Sequence, residues 1–93
     1  MGRRVHGRVL LTFWYFADRW GRMTPEGIFI PVPVPHRLLA DIVGAKRPSV
    51  TAALSQLERQ GILRREHELG GWWLRGEPPE SLESLEQEFA SPA

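Results

Sequence analysis

In this 93-residue chain, the residues best equipped for chemistry are Lys46-Arg47-Pro48-Ser49 and the few that follow. Arg47 offers a planar fork of N–H donors, which suits paired acceptors on one flat edge, such as guanine O6 and N7, better than a point charge does. Lys46, Ser49 and Thr51 lie in or beside the same helical turn, where free backbone amides and the helix dipole favour a phosphate. Pro48 fits a first helical turn, because its missing N–H would have no intrahelical partner there, and it stiffens the presenting end. Pro48, Ala52 and Ser55 leave an outward face that is small and nearly flat. It allows close approach and offers mainly methyl and hydroxyl contacts, so readout would lean on shape. His36 and Arg37 head a preceding helical pattern and could touch flanking phosphates. Each has a plainer reading: the two arginines as solvated charge, Ser49 as a helix-start residue.

Other chemistries find little support. His6, His36 and His67 stand at a helix start, a helix head and a turn, with no carboxylate at metal-ligand spacing. The chain has no cysteine, which removes disulfides, thiolate metal sites and a thiol nucleophile. Neither a metal, a cofactor nor an enzymatic centre is expected, and so short a chain encloses no large pocket.

The elements that must hold Arg47 outward lie within residues 38–57. A short apolar helix pattern breaks at Gly44 and a second one follows, which is the outline of a helix-turn-helix. Small Ala40 lies where two crossing helices come closest, Gly44 sits at the sharp bend, and Val50 plugs the angle between them. The first helix, residues 36–43, should bury Leu39, Ile42 and Val43. The second, residues 47 to about 60, should bury Val50, Ala53, Leu54 and Leu57, leaving Pro48, Thr51, Ala52, Ser55 and Arg59 outward until Gly61 ends it.

Upstream, Val9, Phe13, Phe16 and Trp20 recur at steps of four, three and four, predicting a helix over residues 5–20. Leu11 and Tyr15 fall off this stripe, so the helix either meets a neighbour on a second side or is simply well buried. Gly21 stops it, and Thr24-Pro25-Glu26-Gly27 reads as a turn. Residues 28–35 are β-branched and apolar but contain three prolines, which predicts a short edge strand. Residues 62–66 and 72–75 read as two strands joined around Gly70-Gly71, a hairpin wing. Arg64, Arg65 and His67 stand on it with Glu66, Glu68 and Leu69 around the tip, so phosphate contact there should be weak. One of Trp72 and Trp73 should be buried and the other partly exposed, with core packing favoured over base stacking.

Length allows one small domain, residues 1–76, followed by an acidic tail, residues 77–93, with a short helix carrying Leu82, Leu85 and Phe89. No apolar run approaches the roughly 18 residues of a membrane span, and no secretory leader opens the chain, so a cytoplasmic protein is expected. The net charge of +1 hides an asymmetry: residues 1–65 carry eleven Lys/Arg against four Asp/Glu, and residues 66–93 one Arg against seven Glu. A basic body attracts polyanions, and the tail is either a solvated extension or folds back on that body.

Helix, turn, strand, helix-turn-helix and wing in this order resemble the DNA-binding domain of the Crp/Fnr family of bacterial transcription regulators. The match spans about residues 5–76. It rests on Val5-His6-Gly7-Arg8-Val9, Ile30-Pro31-Val32-Pro33, and Val43-Gly44-Ala45-Lys46-Arg47-Pro48-Ser49-Val50-Thr51. The resemblance implies a mainly α fold with a small β-hairpin wing, a winged helix-turn-helix. It further implies double-stranded DNA as partner, with the second motif helix in the major groove and Arg47 reaching a base edge. Pro48 and Ala52 replace an acidic and a basic residue that many members have, and Pro35 and Lys46 stand where many have Ser or Thr. The family's usual sequence preference is therefore not expected to carry over. Members also have an N-terminal effector domain and a dimerisation helix. This chain begins where those would end, so it is either a fragment or a stand-alone domain, pairing as a homodimer or through a missing N-terminal region. The competing reading is a winged helix turned protein-interaction module, using the aromatic first helix and the acidic tail.

Overall fold

The computed structural model describes residues 5–77. Helices α1 (Val5–Trp20), α2 (His36–Val43) and α3 (Arg47–Arg59) pack on one another and on an antiparallel sheet. The sheet is formed by β1 (Arg22–Thr24), β2 (Gly27–Ile30), β3 (Leu63–Arg65) and β4 (Trp72–Leu74). This is the expected winged helix-turn-helix. The acidic tail, with its expected short helix, lies outside the described residues beyond Glu77. No described helix is long and apolar enough to cross a membrane.

α1 is the spine of the core. Its Val9, Phe13 and Phe16 are buried as their spacing predicts, and Phe13 meets the Trp72 ring edge-on at 5.1 Å. Leu11 is buried too, at 7% exposure, as is Trp14. Of the two readings of this side of α1, the well-buried helix is the one found, because α2, α3, β2 and β4 all pack on α1. Its second apolar side is answered within the domain. Trp20, expected to end the stripe, is 49% exposed at the last residue of α1, its ring tilted at 47° to that of Phe16 with centres 5.7 Å apart.

The turn between α2 and α3 follows its sequence closely. Gly44 is left-handed, at φ 69°, and its amide and that of Ala45 both donate to the Ala40 carbonyl. Glycine adopts this conformation without the steric cost a side chain would add. α2 buries Leu39, Ala40 and Val43, while Ile42 is half-buried. α3 buries Val50, Ala53, Leu54 and Leu57, the four expected. At about 1.5–3 kcal/mol for each fully buried leucine, Leu54 and Leu57 fix α3 by its inner face and relieve the outer face of any packing duty.

The strand order is β1-β2-β4-β3. β2 therefore lies inside the sheet, pairing with β1 on one side and with β4 on the other, in the register Ile28↔Leu74, Phe29↔Trp73 and Ile30↔Trp72. This corrects the expected edge strand: β2 ends at Ile30, so Pro31, Pro33 and Pro35 all fall beyond it and remove no ladder donor. At Gly71, with φ 108°, a Cβ would collide with the Ile30 carbonyl oxygen. Only glycine lets the wing draw in against the end of β2.

Candidate nucleic-acid interface

Arg47 is the first residue of α3 and is exposed, together with Lys46, Pro48, Ser49, Thr51 and Ala52. Ser55, a turn further on, is half-buried. Lys46 occupies the N-cap position in extended backbone and makes no side-chain capping bond to the leading amides of α3. An exposed helix start with a proline in its first turn, a guanidinium at its head and small residues beside it can enter a groove closely. It presents one strong fork of donors, with hydroxyl and methyl groups around it.

His36, expected only to touch a flanking phosphate, instead bridges three elements. Arg65 of β3 donates from Nη2 to His36 Nε2 at 2.8 Å, and His36 Nδ1 lies 3.0 Å from Thr51 Oγ1 on α3. Because an arginine can only donate, Nε2 must be the unprotonated nitrogen, and Nδ1–H then donates to the threonine hydroxyl. The Arg65 guanidinium also lies 4.7 Å from the centre of the Trp72 ring. Around this bridge is a cleft of about 480 Å³, lined by His36 and Arg47 from the helix heads, Arg65, Glu66 and His67 from the wing, and Trp72 beneath. Arg37 is exposed and lines no part of it.

The wing sorts its side chains by alternation. Trp72 is buried and Trp73 half-buried, as expected, with Trp73 5.0 Å from Phe29 and under the Arg64 guanidinium. Glu66 is committed to the wing itself: Oε1 accepts from Trp73 Nε1 at 2.8 Å and Oε2 from the Glu68 amide at 3.2 Å. The Trp73 bond, foremost, holds the Glu66 carboxyl below its usual range. Among the described residues, no three His, Asp or Glu come together as a metal site.

Burial, then the charges of Arg65 and Arg47, lower His36 from its ordinary 6.5, with Glu58 opposing them. Below 6.5 the unfolded chain therefore binds more protons at this site than the folded one. The stability contributed by neutral His36 is complete above 6.5 and is lost as pH falls from there through the folded value. Acidification below pH 6.5 is expected to lower the urea midpoint of the wild type more than that of His36→Gln. Equal loss in the two would remove His36 from this role.

The Arg65–His36 pair could not be found from sequence. The residues are 29 positions apart and neither belongs to a periodic pattern.

Several solved chains share this fold. Oxidised CprK in complex with o-chlorophenolacetic acid aligns with TM-score 0.68 at 18% identity, over 95% of this chain and 34% of that one. A CooA variant from Carboxydothermus hydrogenoformans aligns with TM-score 0.67 at 20% identity, over 95% of this chain and 38% of that one. TTHB099, a transcriptional regulator of the CRP family from Thermus thermophilus, aligns with TM-score 0.63 at 24% identity, over 97% of this chain and 42% of that one. The chain thus spans between about a third and two fifths of the length of these relatives. No curated protein sequence matches it. The family model of the Crp-like helix-turn-helix domain matches residues 7–74, well over half of the sequence, and the chain belongs to that family.

Proposed function

We propose that this chain binds double-stranded DNA as the recognition domain of a transcription regulator, with α3 in the major groove and Arg47 as its chief base contact. The observation that carries this reading is the exposed head of α3, led by Arg47 and not capped by the Lys46 side chain, on a Crp-like domain. Lys46, Ser49, Thr51 and Arg37 serve the phosphates beside it, while Pro48, Ala52 and Ser55 supply the flat approach. One recognition helix covers only a few base pairs, so two copies on half-sites about 34 Å apart make the full complex. Pairing occurs as a homodimer or through a region N-terminal to this domain. The role belongs to the cytoplasm, involves no cofactor and no catalysis, and leaves the acidic tail of residues 77–93 as an appendage to the domain.

The test is fluorescence anisotropy with pooled random duplexes. Binding is expected at low salt and should weaken steeply as salt rises, because each neutralised phosphate releases condensed counterions. No binding at low salt would favour the protein-interaction reading. That alternative has lost ground already, since Leu11 and Trp14 of the aromatic helix are buried.

A further inference from the structure

We infer that the cleft between the wing and the two helix heads is a subsite for one DNA backbone phosphate, and that His36 takes up a proton there when DNA binds. This inference rests on the reading of the α3 head as the DNA-facing surface.

The cleft brings two arginines and two histidines together from α2, α3 and the wing, beside the exposed head of α3. Among the described residues, Glu66 is the one carboxylate along its lining, and both of its oxygens already accept hydrogen bonds within the wing. Arg65 is thus left with a neutral imidazole as its acceptor, a weaker partner than the anionic oxygen of a phosphodiester. A phosphate entering the cleft takes over the Arg65 donor and frees the Nε2 lone pair of His36. Its negative charge also offsets the push of Arg65 and Arg47, which together with burial keeps His36 neutral in the free protein. Once protonated, Nε2–H donates to the same phosphate that displaced it. Nδ1–H keeps its bond to Thr51 throughout, so the ring needs no reorientation.

Linkage fixes the sign. If the complex holds one more proton than the free protein, affinity rises as pH falls between the bound-state and free-state values of His36, by no more than about tenfold per pH unit. The charged and titratable groups facing His36 are Arg65 on the wing and Arg47 and Glu58 on α3, with Glu66 and His67 along the same cleft. His67 is therefore the competing source of any pH effect.

The experiment measures duplex affinity of the whole chain at fixed low salt between about pH 5.5 and pH 7.5, the range in which histidine titrates. The variants are His36→Gln, His67→Gln and Arg65→Gln. The wild type and His67→Gln are expected to bind several-fold more tightly at the acid end, and His36→Gln to show little change. Arg65→Gln should weaken all sequences alike and reduce the salt slope by about one. A parallel NMR titration of the His36 ring should show its pKa moving upward when a duplex oligonucleotide is added. An unmoved His36 titration, or a pH effect that survives in His36→Gln, overturns the subsite while DNA binding stands. Failure of the wild type to bind any duplex overturns the DNA reading and the subsite with it.

Discussion

Trp72→Ala is expected to cost about 3–5 kcal/mol of folding stability, the range for deleting a fully buried large aromatic side chain. Trp72 is 2% exposed, packs edge-on against Phe13 at the centre of α1, and carries the Arg65 guanidinium on its ring. Its backbone pairs with both β2 and β3. Truncation empties the junction where the helices, the wing and the central strand meet, a site hemmed in by too many elements to collapse. Domains of this size have a total stability of about 5–15 kcal/mol, so the variant should be marginal, with a melting temperature at least about 12 °C lower. Trp73→Ala, removing a half-buried neighbour, should cost clearly less. Thermal melts of the two variants decide it, and similar losses would show that the core does not hinge on Trp72.

Arg47→Ala is expected to cost about 1–3 kcal/mol on the preferred duplex and to relax discrimination at one base pair. The side chain is exposed at the first residue of α3 and serves no packing role, so melting temperature should hold while recognition changes. Lys46→Ala, one position earlier, should weaken all duplexes to a similar degree, because a phosphate contact carries no base information. Selection from a random duplex library with each variant separates the two. An unchanged preferred sequence with Arg47→Ala would move the base contact elsewhere on α3.

The helices were legible because their information is local. Apolar spacing set the inner face of α3 to the residue, and Gly44 marked the bend because a left-handed turn demands it. β1 was not legible. Arg22-Met23-Thr24 has no apolar alternation and is held by its pairing with β2 rather than by burial. The three prolines were read as a mark of an edge, but prolines restrict only the residues they occupy and those just before them, and the strand ends at Ile30. A helical wheel gives the direction of each side chain without the number of neighbours around the helix, which is why it leaves both readings of Leu11 open and puts Trp20 on the apolar stripe although that residue is half exposed. At the site, the Arg47 cluster was legible as one turn of helix, whereas the Arg65–His36–Thr51 bridge is a product of tertiary packing alone.

Because β2 is hydrogen-bonded to β4, the wing is not a free flap but one end of a continuous four-stranded plate. Arg65 on β3 is thus tied through the backbone ladders of β4 and β2 to β1 at the opposite edge. Met23, on that far strand, is 84% exposed, so the plate that carries the wing at one edge presents a bare apolar side chain at the other.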